Sequence, residues 1–285
     1  MIDSQIEHLS PPEPAKESSP PGWSLVVAVN DDHVLRNTLL ASPAITSKCQ
    51  VIAERGFPCA GRAYNAGLDK ALNDVVVYAH QDVYLPANWF ACLKSAIEQI
   101  AEANPNWGVL GLFGVTRSKP AELRGHCYST GLKGFLGASF SSPIAARSLD
   151  ELVLVVRRSS GLRFDEQLPG FHLYGTDICL QAESRQLGCY IIPAFCLHNA
   201  NGVTRFPREF WRAWFYLRRK WWQYLPVKTC CTTITKWCTP VAWRLAKELK
   251  QSFAPPTAGA RCEDTDSLRA LMSLIDPQIA SLKPR

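Results

Sequence analysis

The sequence predicts an α/β protein whose mostly parallel sheet is flanked by helices. Three observations lead to this prediction: short apolar runs alternate with helical segments over residues 23–200, several of these runs stop at polar residues, and both ends of the chain differ in composition from the middle. Short unbroken apolar runs are typical of strands buried on both faces of a parallel sheet. Their alternation with helices indicates successive βαβ units.

The first hundred residues contain three candidate strands and three candidate helices. We expect strands at 25–29, 51–53 and 75–79, and helices at 33–40, 61–72 and 88–103. The second helix carries small residues along one side, which allows close packing on a sheet. The third has Trp89, Leu93, Ile97 and Ile100 three or four residues apart, which is the spacing of an apolar helix face.

The next hundred residues continue the pattern with one interruption. We expect strands at 107–115, 152–156 and 190–192, the last of these being the final core strand. A helix is predicted at 176–187, with Thr176 as its N-cap and Gly188 as its stop. Residues 116–142 are rich in Gly, Ser and basic side chains around Arg124, His126 and Lys133, so they predict a loop or short hairpin near a ligand.

Length and composition predict one main domain with tails. The 285 residues are 47% hydrophobic, which is enough for one large core. Residues 1–22 are rich in Pro, Ser and charge and predict a disordered tail. We therefore expect a domain over 23–205 and a helical, Trp- and Arg-rich extension over 206–285.

Charge and cysteine usage narrow the classes of partner and compartment. A net charge of +6 is mild and suits an anionic small ligand or a membrane face, and nothing indicates a nucleic-acid footprint. Eleven cysteines without a repeated CxxC pattern indicate free thiols in a reducing compartment. With no leader and no apolar run near the length of a spanning helix, the expected location is the cytoplasm, at most with peripheral contact to a membrane's inner face.

The segment 206–224 interleaves large aromatic residues with Arg and Lys. It favours a helix with one apolar face, and three interpretations remain open. The helix packs on the main domain, lies against anionic lipid, or binds a partner protein.

The strand at 75–79 ends at His80-Gln81-Asp82, and this triplet is the strongest candidate for chemistry. In an open α/β sheet, ligands bind in the crevice beyond the carboxyl ends of the strands. Asp82 needs a counter-charge there, which a divalent metal carrying a phosphorylated ligand supplies. The alternative is a solvated Asp that caps the turn before Pro86.

Four motifs occur in a familiar order: Asn30-Asp31-Asp32 after the first strand, AYNAG at 63–67, HQD at 80–82, and FDEQLPGFHLYGTDICLQAESRQLG at 164–188. Together they resemble GT-A-type glycosyltransferases, specifically the family 2-like group in which HQDV replaces the usual DxD. The resemblance covers residues 23–205. It implies a Rossmann-like GT-A fold that moves a sugar from a nucleotide-diphosphate sugar to a hydroxyl acceptor, by an inverting and metal-assisted reaction in polysaccharide or glycan synthesis.

The same resemblance implies a metal site. Asp82 matches the metal-binding Asp of the motif, His80 replaces its first Asp, and His198 matches a histidine that such enzymes place on the same metal. The cofactor is then Mn²⁺ or Mg²⁺, and imidazole ligands suit Mn²⁺ better.

Donor-binding residues also follow from the resemblance. The donor is a UDP-, GDP- or dTDP-sugar and the acceptor a glycan or a lipid-linked glycan. The candidates that contact the base, ribose or phosphates are Asn30, Asp31, Asp32, Glu54, Arg62, Asn65 and Asp82.

An inverting transfer needs a base that takes the acceptor's proton. Asp177, at a predicted helix start, is the first candidate. Relatives have an additional Asp where this chain has Gly175, so Asp177 is a base, an acceptor ligand or a helix cap. His172 and Glu166 are the reserves.

Two further functions remain open at this level. The same fold serves nucleotidyltransferases, which handle metal and phosphate alike. Alternatively, the chain is a degenerate transferase, with His80 and Gly175 as altered positions, that binds glycans or partners through its Trp-rich segment.

Overall fold

A computed structural model describes residues 22–202, 206–238, 241–242 and 260–281 of the chain. The helices are α1 (Asp32–Asn37), α2 (Ala60–Lys70), α3 (Trp89–Ala103), α4 (Tyr174–Ser184), α5 (Arg208–Lys220) and α6 (Thr265–Ser281). The strands are β1 (Trp23–Val29), β2 (Cys49–Arg55), β3 (Val75–Ala79), β4 (Val83–Tyr84), β5 (Trp107–Gly111), β6 (Phe113–Thr116), β7 (Leu123–Gly125), β8 (Cys127–Ser129), β9 (Gly134–Leu136), β10 (Ile144–Leu149), β11 (Val153–Arg157), β12 (Gly188–Ile191), β13 (Cys196–His198), β14 (Val227–Lys228) and β15 (Thr233–Ile234).

The main sheet has nine strands in the order β2-β1-β3-β11-β5-β12-β10-β6-β7. Strands β1, β2 and β3 are mutually parallel, and β5, β6 and β12 run in the same direction. Strands β7, β10 and β11 run the opposite way. The predicted α/β class with a mostly parallel sheet is thus confirmed, with antiparallel strands inserted at β11 and near one edge.

Two apolar clusters cover the two faces of this sheet. One contains side chains of α2, α4 and α5, and the other contains side chains of α1 and α3. Close packing of α2 depends on a small residue, because a Cβ built on Gly67 would lie 2.2 Å from Cγ1 of Val26 in β1. The result is a layer of helices on each side of the sheet, as βαβ units require.

A second sheet has the strand order β4-β13-β8-β9 and carries His198, one of the candidate site residues. Strand β4 begins directly after Asp82 and pairs antiparallel with β13, so that His198 lies opposite Val83. This pairing brings together residues that are more than a hundred positions apart in the sequence.

In the middle of the chain the structure differs in detail from the sequence predictions. The expected strand 107–115 breaks at Leu112 into β5 and β6, which lie at different places in the main sheet. The expected loop or short hairpin over 116–142 contains a short hairpin, β8–β9, and also β7, which pairs with β6. Strand β10 was not predicted, and β13 follows the strand expected to be last.

The helix expected at 176–187 begins earlier and ends earlier. Its N-cap is Leu173, with φ +63°, so Thr176 lies inside α4 and does not cap it. Thr176 instead contacts Ser148 of β10 through its hydroxyl, at 2.8 Å. Gly188 is the first residue of β12.

The C-terminal region contains α5, the β14–β15 hairpin and α6. Phe210, Ala213, Trp214 and Leu217 of α5 are buried in the cluster that covers one face of the main sheet, so α5 packs on the main domain. Within the described ranges, none of the helices has the length and apolar character needed to cross a bilayer. The tail expected over 1–22 lies, apart from Gly22, outside the described residues, and the division at 205/206 stays a prediction.

Candidate metal and donor site

A cavity of about 900 Å³ lies at the carboxyl ends of β1, β2 and β3. These strands are parallel, so the residues that follow them meet at one edge of the sheet. Its lining includes residues 29–32, 54–57 and 80–82, together with Tyr64, Phe171, His172 and Arg261. We call it the strand-end cavity, and its position is the one expected for ligand binding in an open α/β sheet.

Three possible metal ligands, His80, Asp82 and His198, converge in this region. Their ligand atoms all lie within 4.8 Å of one another. Nε2 of His198 is 3.5 Å from Oδ1 of Asp82, and the rings of His80 and His198 have centroids 6.2 Å apart. We call these three residues the metal triad, and the β4–β13 pairing is what brings His198 to the other two.

The protonation states of His80 and Asp82 suit a cation. Burial lowers the pKa of His80 to about 4, so its imidazole is neutral at pH 7. Burial alone would raise the pKa of Asp82, but His198, His80 and Arg261 outweigh it and hold the pKa at about 2. Two imidazoles and one carboxylate form a donor set that suits Mn²⁺ better than Mg²⁺, which prefers oxygen ligands.

Contacts behind the triad orient His80. Its Nε2 lies 2.9 Å from the Tyr174 hydroxyl, which also lies 3.1 Å from the Tyr64 hydroxyl and 3.3 Å from the Glu151 carbonyl. Metal-binding histidines commonly have such a partner on the second ring nitrogen. Burial and the nearby Asp150 raise the pKa of Glu151 to about 8, so this carboxyl adds little negative charge behind the triad.

The loop after β1 is fixed by Gln81. The Gln81 side chain accepts from the backbone N–H groups of Asn30 and Asp31 and donates to the Asn30 side chain. Asp31 caps α1 through its Oδ1, which accepts from His33 N and Val34 N. The loop is therefore held in place before any ligand binds.

The other predicted donor residues separate into two groups. Asp32, paired with Arg55 at 2.6 Å, and Glu54, paired with Lys70 at 2.6 Å, both line the strand-end cavity. Arg62 and Asn65 do not line it.

Asn65 is buried, and its side chain makes hydrogen bonds that hold the fold together. It exchanges hydrogen bonds with the backbone of Phe164 and donates to the carboxylate of Glu166, the reserve base. Arg62 is exposed at the surface of α2. The structure thus brings Asn30, Asp31, Asp32, Glu54 and Asp82 together and leaves these two residues outside the cavity.

Asp177 lies within α4 and is 1% exposed. Lys220 Nζ is 2.8 Å from its Oδ1, Trp221 Nε1 donates to Oδ1 and Gln181 Nε2 donates to Oδ2. Burial raises its pKa despite these partners. Asp177 does not line the strand-end cavity, whereas the other predicted base, His172, does.

Sequence reasoning did not assign Arg55, Tyr64, Gln81, Phe171 or Arg261 to the cavity that they line. Gln81 belongs to the HQD triplet, so its position was a usable signal. Arg261 lies 179 residues after Asp82, and no local pattern indicates that the two side chains meet.

No protein-family model matches the chain. A protein from Fuscovulum blasticum described as "ATP synthase subunits region ORF 6" is 33% identical over 127 residues, which cover 44% of this chain and 50% of that protein. The chain therefore spans about half the length of this curated relative. The GT-A-type, family 2-like resemblance stays a prediction.

Three solved structures have a similar overall arrangement at low identity. S. aureus TarS 1–349 in complex with UDP-GlcNAc has a TM-score of 0.48 and 12% identity, and the match covers 73% of this chain and 67% of that one. GalNAc-T7 with UDP, GalNAc and Mn²⁺ has a TM-score of 0.46 and 11% identity, with 94% and 59% covered. The structure of S. aureus TarS 1–349 has a TM-score of 0.45 and 12% identity, and the match covers 70% of this chain and 65% of that one.

Proposed function

We propose that the chain transfers a sugar from a nucleotide-diphosphate sugar to a hydroxyl acceptor with the help of a divalent cation. The observation that carries this proposal is the metal triad at the edge of a cavity of about 900 Å³. A cavity of that volume can enclose a nucleotide sugar, and a bound cation would neutralise its diphosphate. This is the activity that the GT-A-type resemblance implies.

The residues of the cavity have separate roles in this proposal. His80, Asp82 and His198 would hold Mn²⁺, or less favourably Mg²⁺, and such a cation would supply positive charge for the leaving diphosphate. Asn30, with the carboxylates of Asp31, Asp32 and Glu54, offers acceptors for the base and ribose of a UDP-, GDP- or dTDP-sugar.

The proton of the acceptor hydroxyl goes to His172 in this proposal. His172 lines the cavity, and burial lowers its pKa, so the neutral imidazole can accept a proton at pH 7. An acceptor that attacks from the face opposite the nucleotide gives an inverting transfer. The acceptor class is a glycan or lipid-linked glycan, as in polysaccharide synthesis.

The test is Asp82→Asn, which keeps the size of the side chain and removes its charge. We expect Mn²⁺ affinity and Mn²⁺-dependent UDP, GDP or dTDP affinity to fall roughly 100-fold or more, because loss of even an outer contact to a metal ligand costs about 10- to 100-fold. Isothermal titration calorimetry measures both affinities. Asp266→Asn, at a carboxylate that is 93% exposed on α6, is the matched control.

Native protein that binds none of these diphosphates with Mn²⁺, or an Asp82→Asn variant that binds them normally, would contradict the proposal. Product analysis distinguishes a sugar transferase from a nucleotidyltransferase, the other enzyme class that the fold allows. A sugar transferase releases the nucleoside diphosphate, and a nucleotidyltransferase does not. Sugar transfer without diphosphate release would therefore count against the donor class.

We also propose a cytoplasmic location with peripheral contact to the inner face of a membrane. Cysteines on several different elements, among them Cys49, Cys59 and Cys127, are free thiols, which supports a reducing compartment. The outer side of α5 and the segment after it expose Phe215, Trp222 and Trp237, at 45%, 44% and 76%. Arg218 and Lys236 lie over the Trp222 ring, at 5.0 and 5.7 Å from its centroid.

We call these five residues the aromatic–basic face. Aromatic rings beside cationic side chains suit the boundary between anionic headgroups and acyl chains. Since the opposite side of α5 is buried in the domain, the exposed side of α5 and the segment after it are the parts of this region available to lipid.

A further inference from the structure

Arg261 connects the C-terminal region of the chain to the metal triad. Its Nη2 donates to Oδ2 of Asp82 at 3.1 Å, and the two side chains are 25% and 14% exposed. Arg261 lines the strand-end cavity and also a smaller neighbouring cavity of about 400 Å³. A permanently charged guanidinium therefore shares the carboxylate that a cation would use.

Hydrogen bonds fix the backbone of Arg261 beside the triad. Asn199 donates to the carbonyl of Cys262 at 2.8 Å and accepts from the Cys262 N–H at 2.7 Å. Arg261 donates through Nε to the Asn199 carbonyl at 2.8 Å and through its N–H to Asn201 at 3.1 Å. Since Asn199 directly follows His198, these hydrogen bonds tie residues 261–262 to the metal triad.

The helix that follows anchors the segment further. Leu268 and Ile275 of α6 are 0% and 4% exposed and pack in an apolar cluster with Tyr84, Phe195 and Leu197 of the second sheet and its approach. Residues 260–275, which we call the C-terminal strap, thus lie against the same two strands, β4 and β13, that position Asp82 and His198.

A cation and Arg261 compete for Asp82. The cation and the Arg261 guanidinium are both positive, and Asp82 is the acidic member of the triad. A bound Mn²⁺ would therefore attract the Asp82 carboxylate and repel the Arg261 guanidinium. A diphosphate offers the guanidinium a replacement partner, because Arg binds phosphate oxygens through paired, charge-assisted hydrogen bonds. With both ligands bound, Asp82 pairs with the cation and Arg261 pairs with the diphosphate. Without them, Asp82 and Arg261 pair with each other.

We propose that Arg261 of the C-terminal strap binds the diphosphate of the donor and neutralises Asp82 when no cation is bound. The proposal rests on the proposed function and adds a residue and a coupling to it. Binding of the cation and of the diphosphate is cooperative. The cation releases Arg261 from Asp82 so that it can bind the diphosphate, and the diphosphate holds Arg261 so that it no longer competes with the cation for Asp82.

The experiment measures Mn²⁺ alone, and then UDP, GDP and dTDP at saturating Mn²⁺, by calorimetry on the full chain. In Arg261→Gln we expect Mn²⁺ alone to bind severalfold more tightly, because the competing charge is gone. The affinity for the best diphosphate should fall roughly 10-fold or more, because its charge-assisted bonds are lost. Arg261→Lys keeps the charge without the planar fork and should give an intermediate diphosphate affinity.

Arg269→Gln is the matched control, since Arg269 lies on α6, is 61% exposed and pairs with Asp266. It should leave both affinities unchanged. Opposite changes in the two affinities are the signature of the proposal, because a strap with only a structural role would lower both together with the melting temperature.

Each other outcome overturns the proposal in a recognisable way. The native protein could bind a diphosphate with Mn²⁺, and Arg261→Gln could bind both ligands as tightly. That result would contradict the role of Arg261 and leave the proposed function standing. Parallel losses of both affinities in Arg261→Gln also contradict it. Native protein that binds no diphosphate contradicts the proposed function, and the role of Arg261 with it.

Discussion

The chemistry of His172, which lines the strand-end cavity, depends on its surroundings. Its ring packs against Phe210 of α5, with centroids 5.7 Å apart. Burial lowers its pKa, and the opposing effect of Glu209 is smaller. A base works in its neutral form, so the rate falls as pH drops through its pKa. Because this pKa lies below the ordinary 6.5, the acid limb of the pH–rate profile should lie below pH 6.5.

We predict that His172→Gln lowers kcat by roughly 100- to 10,000-fold and removes this acid limb, because general-base catalysis contributes about that much. Its diphosphate affinity with Mn²⁺ should stay within about threefold of the native value, since the triad is intact. The pH dependence of kcat/KM checks this. Asp177→Asn, at the other predicted base, is the comparison: if that variant loses the acid limb and His172→Gln keeps it, the base is Asp177.

At the scale of elements, α4 and α5 are joined by a partly buried group of charged side chains. Lys220 Nζ lies 2.8 Å from Asp177 and 2.6 Å from Asp165. Trp221 donates to Asp177, and Tyr216 donates to Asp165. One cation thus serves two carboxylates, both of which are largely excluded from water.

We predict that Lys220→Met lowers the free energy of unfolding by about 3 kcal/mol, since removing one partner of a buried ion pair costs roughly 3–5 kcal/mol and Lys220 retains some solvent contact. Urea denaturation with the same m-value measures it. The exposed Arg212 of the same helix provides the control, and Arg212→Met should change stability by less than about 0.5 kcal/mol. Equal stability of the two variants would mean that the charged group does not hold α5 in place.

At the scale of the whole molecule, the aromatic–basic face lies on the surface while the other side of α5 is buried. We predict that the protein binds vesicles containing phosphatidylserine better than vesicles of phosphatidylcholine alone, and that salt weakens this binding. Combining Trp222→Ala with Lys236→Gln should reduce it roughly 10-fold, because an interfacial ring and one cation are lost. Vesicle flotation measures the bound fraction.

Leu72→Ala supplies the control for this experiment, because Leu72 is an apolar side chain, 65% exposed, at the end of α2. It should leave vesicle binding unchanged. Equal binding to neutral and anionic vesicles, or a similar loss in both variants, would contradict contact with anionic lipid through this face.

The sequence by itself determined the α/β class and the position of the site. Strands β1 and β3 are short apolar runs that polar residues follow, as Asn30 and Asp82 illustrate, and the polar Glu54 lies near the carboxyl end of β2. Local pattern suffices here, because parallel strands place their carboxyl ends at one edge whatever the rest of the chain does. The His80 and Asp82 candidates follow from that rule, and His198 from the family resemblance.

Only the tertiary structure decided which polar side chains face the cavity and which hold the fold together. Asp177 and Asn65 have polar side chains of the kind found in binding sites. Contacts with the end of α5 and with residues 164–166 bury them outside the cavity. Arg261 reaches Asp82 because α6 packs on the second sheet, and a contact across 179 residues leaves no periodic trace in the sequence. Local patterns indicate most of the elements, whereas long-range packing fixes their exact ends and the partner of each charge.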